Sequence, residues 1–161
     1  GEVSDAVIAA SDTQRAKLWA MREGMSEVQR LEGGSIKHDI SVPVSRVAEF
    51  ITLASAAVTK EIPGLRVVPF GHVGDGNIHF AITVPDAGPA DHRKVEECVY
   101  EPLQPYGGSV SAEHGIGLEK KDFLAISRSA DEIAVMRRLK HALDPKGILN
   151  PGKIFEFEGA V

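Results

Sequence analysis

The stretch Gly71-His72-Val73-Gly74-Asp75-Gly76-Asn77-Ile78-His79 carries the strongest local fold signal in this chain of 161 residues. Residues 67–70, before this stretch, and residues 78–84, which begin at its end, have the pattern of strands. An Asp-Gly pair between two such segments favours a β-hairpin. A two-residue turn at the Asp-Gly pair would place His72 directly opposite His79. Directly opposed residues have Cβ atoms about 4.5–5.5 Å apart, so both imidazoles could then hold one metal ion.

A third candidate ligand lies in the segment Ser-Ala-Glu-His-Gly-Ile-Gly at 111–117, which contains Glu113 and His114. Two histidines and one carboxylate form a site for zinc or another borderline divalent metal, with positions left open for substrate. We therefore predict that His72, His79 and Glu113 are metal ligands. Two histidines at this spacing also occur by chance, so the hairpin alone does not decide the question.

The remaining pattern predicts an α+β fold with a ferredoxin-like antiparallel sheet and additional helices at both ends of the chain. Predicted strands are 36–42, 67–70, 78–84 and 109–112, and predicted helices are 13–31, 45–60, 90–103 and 129–143. In the ferredoxin-like order both central helices cover one face of the sheet. Alternation along the third strand places its isoleucines and Phe80 beneath the helices, and His79, Ala81 and Thr83 on the open face. We expect Lys37 on this open face as well.

Composition limits the class of protein. The chain carries 18 Lys and Arg against 23 Asp and Glu, a formal net charge of −5, which argues against a nucleic-acid partner. The single cysteine, Cys98, excludes an intrachain disulfide, and we interpret it as a core residue in a reducing compartment. No apolar run is long enough to span a bilayer, and no glycine-rich phosphate loop is present.

Three motifs occur in the order seen in a known family. They are the 71–79 stretch, Ala-Glu-His-Gly-Ile-Gly at 112–117 and Leu-Asp-Pro-Lys-Gly-Ile-Leu-Asn-Pro-Gly-Lys at 143–153. With them the chain resembles the C-terminal, substrate-side domain of FAD-linked oxidases of the vanillyl-alcohol oxidase type. Within that family it resembles the D-2-hydroxyacid dehydrogenase branch, which includes D-lactate and D-2-hydroxyglutarate dehydrogenases and the glycolate oxidase D subunit.

This resemblance implies that residues 1–161 form one such C-terminal domain and that FAD is held mainly by a separate N-terminal domain. The chain begins without methionine, and we expect a fragment that lacks the flavin domain and is inactive by itself. The implied partners are a small-molecule 2-hydroxy acid and the protein's own N-terminal flavin domain. We expect no nucleic acid and no transmembrane segment, and a homodimer is left open. The expected location is the cytoplasm or another reducing compartment, with membrane association through an electron acceptor left open.

Arg22 is the first predicted substrate-binding residue. It follows Trp19 by one helical turn and precedes Ser26 by another, so all three share a helical face. A planar guanidinium suits two-point binding of a carboxylate, although a solvated arginine whose stem covers Trp19 has the same pattern. The resemblance favours the first interpretation, because the family's substrate-binding arginine lies in a segment like that at 18–23. It also implies substrate contacts from Ser26 and Lys37.

The resemblance further implies oxidation of a D-2-hydroxy acid to a 2-oxo acid, with a divalent metal, zinc by preference. His114 would take the hydroxyl proton as the catalytic base, and an exchange of roles between Glu113 and His114 stays open. Asn150, in the C-terminal turn, would lie near the flavin as a cofactor-binding residue. One departure concerns Ala81, because members that act on 2-hydroxyglutarate often have asparagine there.

Two other classes compete with this interpretation. A non-catalytic ferredoxin-like module for ligand binding or regulation would explain the fold without chemistry. A metallophosphoesterase also uses histidines and Gly-Asp motifs, but this chain lacks a convincing Asp-x-His and Gly-Asn-His set. Flavin reduction by D-hydroxy acids in the full-length protein separates the enzyme from the module.

Overall fold

A computed structural model describes residues 3–31, 34–83 and 89–156. The helices are α1 (Asp12–Glu23), α2 (Met25–Leu31), α3 (Val47–Glu61), α4 (Pro89–Tyr100), α5 (Leu124–Ser127) and α6 (Ala130–Leu143). The strands are β1 (Ser35–Ser41), β2 (Arg66–His72) and β3 (Asn77–Thr83). Short 3₁₀ segments lie at Val44–Arg46, Glu101–Tyr106 and Lys121–Phe123.

The three strands form an antiparallel sheet in the order β1-β3-β2, with α3 and α4 on one face. Residues Ile78, Phe80 and Ile82 of β3 point toward these helices, as alternation predicts, and all three are at most 2% exposed. The helix side of the core is completed by α3 and α4 residues Phe50, Ala54, Val58, Val95 and Val99. The predicted ferredoxin-like α+β fold is therefore confirmed. Residue 84, the predicted end of β3, lies outside the described residues.

The predicted fourth strand at 109–112 is reduced to one β-bridge, between Ser41 and Ser109. A longer ladder would direct the Ser111 amide at Asp39 O, but this amide lies 3.3 Å from Ser109 Oγ, and the Ala112 amide donates to Asp39 O at 3.1 Å instead. The Val110 amide, on the side away from β1, donates to Ser127 Oγ at 2.8 Å. Such side-chain hydrogen bonds compete with sheet formation. The loop that follows the bridge therefore lies along the outer edge of β1 in place of a longer strand.

The predicted register of the β2–β3 hairpin is wrong by two residues. His72 lies opposite Asn77, and Phe70 lies opposite His79, so the two histidines are not directly paired. A shift of two residues keeps every side chain on its predicted face, because side chains along a strand alternate with a period of two. His72 and His79 therefore remain diagonal neighbours on the open face.

The turn explains this register. A two-residue type I′ turn needs positive φ at both central residues, but only Gly76 has it, with φ 77°. The loop instead spans four residues, and the amides of Asp75 and Gly76 donate to His72 O at 3.3 and 3.1 Å. The Asp75 side chain accepts from the Asn77 amide at 3.0 Å. A Cβ on Gly76 would lie 2.0 Å from Val42 O, so this position requires glycine.

The terminal helices form as predicted, with one interruption. The predicted helix 13–31 is divided at Gly24 into α1 and α2, consistent with the low helix propensity of glycine. Helix α6 begins at Ser129 with a capping box formed with Glu132. Neither α1 nor α6 has a buried residue, and large apolar side chains such as Trp19 and Leu143 are 58% and 81% exposed.

His38 lies on the helix side of β1 and is 2% exposed. Its Nδ1 lies 3.1 Å from Phe80 O. Because a carbonyl only accepts, Nδ1 carries the hydrogen and Nε2 is the unprotonated nitrogen, which is buried without a partner among the described residues. Burial lowers the pKa of His38 to about 4, and the hydrogen bond to Phe80 opposes this only in part.

This burial predicts a pH-dependent stability. Between the ordinary pKa of 6.5 and about 4, the unfolded chain binds a proton at His38 that the folded chain does not. The free energy of unfolding therefore falls as pH drops through this window, by on the order of 3 kcal/mol when the lower end is reached. Urea unfolding across this pH range should show a smaller slope for His38→Gln. His92→Gln, at an exposed histidine that lowers the pKa of His38 much less than burial does, should keep most of the original slope, and an unchanged slope in His38→Gln would contradict the assignment.

Candidate metal and substrate site

The open face of the sheet brings together the histidines and the acid predicted from the sequence. His72 lies at the end of β2, His79 lies within β3, and Glu113 and His114 lie in the loop after the Ser109 bridge. The rings of His72 and His79 are 5.6 Å apart at 89°, and those of His79 and His114 are 6.4 Å apart at 25°. Two strands and one distant loop therefore meet at this site.

The predicted metal ligands have a spacing that fits a divalent ion. Ligand atoms of His72, His79 and Glu113 all lie within 4.8 Å of one another. His72 Nδ1 is 3.5 Å from Glu113 Oε1. Ligands about 2.1 Å from a tetrahedral zinc are about 3.4 Å apart, so this pair needs almost no movement. The side chains of His72 and Glu113 are 47% and 48% exposed, which leaves an open side for a further ligand.

A second group of possible ligands comprises Asp39, Glu113 and His114, whose ligand atoms also lie within 4.8 Å of one another. It corresponds to the exchange of roles between Glu113 and His114. The Asp39 carboxylate is already engaged with the backbone of these same two residues, and its side chain is 1% exposed. The set with two imidazoles and one free carboxylate is therefore the better candidate for zinc.

Asp39 is a site residue that the sequence reasoning missed. Its Oδ2 accepts the backbone amides of Glu113 at 2.7 Å and His114 at 2.8 Å. Burial raises the pKa of the Asp39 carboxyl, but the two amides, His114 and Lys120 together outweigh burial and lower it. Asp39 is thus a carboxylate in the folded chain, directly beneath the loop that carries the acid and the base.

Lys120 is a second missed residue. It is 7% exposed, and its Nζ lies 3.2 Å from Ser111 Oγ and 3.4 Å from Asp39 O. Burial lowers the pKa of Lys120, and the nearby Asp39 carboxylate opposes this shift. This buried ammonium thus holds the start of the loop against β1.

Unsatisfied buried polar atoms collect at this site. Asp39 Oδ1 and both side-chain polar atoms of Asn77 are buried without hydrogen-bond partners among the described residues. Such atoms are costly in a folded protein and point to a bound water or ion.

His79 has a lowered pKa. Burial is the largest cause of this shift, and the negative charges of Asp39 and Glu113 oppose it. A lowered pKa favours the neutral imidazole, which is the form that binds metals.

Arg22 approaches this face from the last turn of α1. Its guanidinium carbon lies 5.2 Å from the centre of the Phe70 ring, and that ring is 5.1 Å from the ring of His79. The structure therefore places Arg22 one aromatic side chain away from the histidines. Its alternative as a solvated arginine covering Trp19 is less favoured, because the guanidinium stacks on Phe70 instead.

The other predicted substrate residues are less closely tied to the site. Lys37 is exposed on β1, opposite Ala81 and on the same face as Asp39, with no contact to the histidines among those described. The backbone of Ser26 belongs to α2, but its side chain lies outside the described part of the structure. Ala81 is 3% exposed on this face, where a larger polar residue would reach toward Lys37.

Asn150 lies in the C-terminal turn with φ 48°, and its carbonyl accepts from the Lys153 amide at 3.2 Å. The amide of Ile154, the residue after Lys153, donates to Gly117 O at 2.8 Å. This hydrogen bond joins the C-terminal turn to the segment that follows His114. No contact among the described residues brings Asn150 itself to the histidines. Its role at the cofactor stays a prediction.

One sequence signal could have identified Asp39, because aspartate is depleted in strands and this one stands in the middle of the predicted strand 36–42. No comparable signal distinguishes Lys120 from the adjacent Lys121. Two further predictions concern Cys98 and the membrane. Cys98 packs against the core as predicted and is partly buried. Among the described residues, no helix is both long enough and apolar enough to cross a bilayer.

Comparison with known proteins places this geometry in a family. The family model for FAD linked oxidases, C-terminal domain, matches residues 1–154. A D-2-hydroxyglutarate dehydrogenase of Xanthomonas citri pv. viticola is 46% identical over 99% of this chain and 35% of that protein. That of Stutzerimonas stutzeri is 44% identical over 96% and 34%, and the mitochondrial one of Danio rerio is 39% identical over 94% and 28%. The chain spans about a third of the length of these relatives. The chain therefore belongs to the family of FAD-linked oxidase C-terminal domains.

Proposed function

We propose that this chain is the substrate- and metal-binding domain of a flavin-dependent dehydrogenase that oxidises a D-2-hydroxy acid to the 2-oxo acid. The observation that carries this proposal is the convergence of His72, His79, Glu113 and His114 on one open sheet face. Family membership supports FAD as the redox group. The names of the relatives support a D-2-hydroxy acid as substrate.

His114 is the proposed catalytic base. Its ring is exposed and stacks at 6.4 Å beside His79, while its amide is fixed by Asp39. It accepts the proton of the substrate's α-hydroxyl as the α-carbon becomes a carbonyl carbon. The flavin supplies the acceptor for the hydride that leaves the α-carbon. Imidazole suits this task because its ordinary pKa lies near neutrality.

His72, His79 and Glu113 are the proposed metal ligands, and zinc is the proposed ion. When bound there, a divalent ion supplies a Lewis acid for the α-hydroxyl and carboxylate oxygens. The 3.5 Å between His72 Nδ1 and Glu113 Oε1 supports this assignment. The proposal keeps Glu113 as ligand and His114 as base, because Glu113 lies beside His72, whereas the alternative ligand set with His114 needs Asp39, whose carboxylate already accepts two amides.

Arg22, Ser26 and Lys37 are the proposed carboxylate contacts of the substrate. Arg22 stacks on Phe70 of β2 and Lys37 lies on β1, so they place positive charge on the two sides of β3, the central strand that carries His79. Ala81 on this face lacks the amide that members acting on 2-hydroxyglutarate often have, whereas the names of the relatives support D-2-hydroxyglutarate. D-lactate, glycolate and D-2-hydroxyglutarate are therefore all candidates.

The flavin itself is proposed to lie outside this chain, in an N-terminal domain of the same protein. The described residues offer imidazoles and carboxylates rather than a glycine-rich phosphate loop, which suits the substrate side of the reaction. Asn150 is the proposed contact from this chain to the flavin. A reducing compartment is expected because Cys98 is a free thiol, and a homodimer stays open.

The full-length protein should show flavin reduction by D-2-hydroxy acids. Anaerobic mixing with at least one of D-lactate, glycolate and D-2-hydroxyglutarate should bleach the flavin absorbance, whereas L-lactate should not. Chelation should abolish the reduction, and added Zn²⁺ should restore it. In His72→Ala, the same Zn²⁺ concentration should fail to restore it, because one of three ligands is lost.

His92→Ala is the matched control, since His92 is exposed on α4, which covers the opposite face of the sheet. It should behave like the unaltered protein. Full reduction after complete metal removal would reject the Lewis-acid role and leave the histidines as hydrogen-bond partners of substrate. No reduction by any D-2-hydroxy acid would favour the non-catalytic module.

Arg22→Lys in the full-length protein should raise KM and lower kcat/KM by about tenfold or more, because an ammonium cannot reproduce a two-point grip on a carboxylate. Steady-state kinetics with the best substrate measures this. Arg15→Lys on the same helix is the control, since Arg15 is exposed and pairs with Asp12 at 3.1 Å. Equal kinetics for Arg22→Lys and Arg15→Lys would return Arg22 to the status of a surface residue.

A further inference from the structure

Asp39 occupies the middle of β1 on the open face, and its side chain is 1% exposed. Removing an ionised carboxylate from water is costly unless hydrogen bonds or opposite charges compensate. A buried aspartate at this position therefore needs partners for both of its oxygens.

One oxygen, Oδ2, is committed to the loop after the β-bridge. It accepts the amides of Glu113 and His114 at 2.7 and 2.8 Å. Hydrogen bonds to an ionised acceptor are short and strong, so two of them on one oxygen fix the orientation of the carboxylate. The direction of Oδ1 is thereby fixed as well.

The other oxygen, Oδ1, faces His79. The two residues are directly paired across β1 and β3, and His79 Nδ1 lies 3.9 Å from Oδ1. Oδ1 is buried and has no hydrogen-bond partner among the described residues. A carboxylate oxygen only accepts, so His79 satisfies it only when Nδ1 carries the ring hydrogen. Contacts of this kind often shorten when ligand binds.

Lys120 and the backbone hold this arrangement from below. The Ala112 amide donates to Asp39 O at 3.1 Å, and Lys120 Nζ lies near both Asp39 O and Ser111 Oγ. Ser111 Oγ in turn donates to Gly115 O at 2.9 Å. The loop from 111 to 115 is thus fixed to β1 at several points around the carboxylate.

We propose that Asp39 is a positioning residue that selects the His79 tautomer with hydrogen on Nδ1 and holds Glu113 and His114 on the same face. This tautomer leaves the lone pair of His79 Nε2 free for a metal ion, the arrangement in which a carboxylate orients a ligating histidine. The inference rests on the metal site of the proposed function and names the residue that prepares that site.

The first experiment needs no variant. Long-range ¹H–¹⁵N correlation on this chain with ¹⁵N-labelled histidine, without metal and at about pH 8, reports the tautomer of each neutral imidazole. We expect the hydrogen of His79 on Nδ1. Free histidine in water prefers the hydrogen on Nε2, so finding His79 in that common form would overturn the proposal.

The second experiment uses Asp39→Asn, which preserves the shape of the side chain. Its amide oxygen can accept from the Glu113 and His114 amides, and its NH₂ group then faces His79 Nδ1. We expect His79 to move its hydrogen to Nε2 and the affinity for Zn²⁺ alone, measured by calorimetry, to fall at least about tenfold. Asp122→Asn removes the same charge at an exposed position and should change neither property.

His72→Ala separates this inference from the proposed function. It removes a ligand but not the contact between Asp39 and His79, so Zn²⁺ affinity should fall while the His79 tautomer stays. If the unaltered chain binds no Zn²⁺ but Asp39→Asn switches the tautomer, the metal role fails and positioning by Asp39 stands. If Zn²⁺ binding depends on His72 but Asp39→Asn alters neither tautomer nor affinity, the proposal is wrong. Should Asp39→Asn not fold, the tautomer of the unaltered chain decides.

Discussion

The site depends on one buried carboxylate that accepts two backbone amides. Among the described residues, the outer edge of β1 is paired only at the Ser41–Ser109 bridge, because the Ser111 amide that would extend the ladder lies against Ser109 Oγ. Beyond this bridge, the Asp39 side chain binds the loop by accepting the backbone amides of Glu113 and His114. Hydrogen bonds to charged groups contribute about 1.5–3 kcal/mol each, enough to fix the position of the loop.

The functional geometry follows from this constraint. The sheet positions His72 and His79 rigidly, since both lie on paired strands. The acid and the base lie on a loop, which by itself would be the less precise element. Asp39 is paired with His79 across the sheet and accepts the amides of Glu113 and His114. This one residue therefore fixes the position of the loop relative to the histidines on the strands. The proposed metal ligands and the proposed base therefore share a common support.

Alternation along the strands predicted the core face of the sheet and the polar character of the other face. The Asp-Gly pair predicted the hairpin but not its register. The register depends on the backbone of Asp75, whose φ is not positive, and on the close packing of Gly76 against Val42 O. The burial of Asp39 was beyond local reasoning, because the amides that compensate it come from residues 74 and 75 positions away. The His72–His79 proximity was nevertheless predicted, since a two-residue error in register preserves the face.

Amide hydrogen exchange of this chain tests the central claim most directly. Glu113 and His114 have exposed side chains in an irregular loop, yet both amides donate to the buried Asp39 carboxylate. The account predicts that these two amides exchange far more slowly than that of Gly74 in the exposed hairpin loop, and that Asp39→Ala removes this protection. Exchange of the Glu113 and His114 amides as fast as that of Gly74 in the unaltered chain would contradict it.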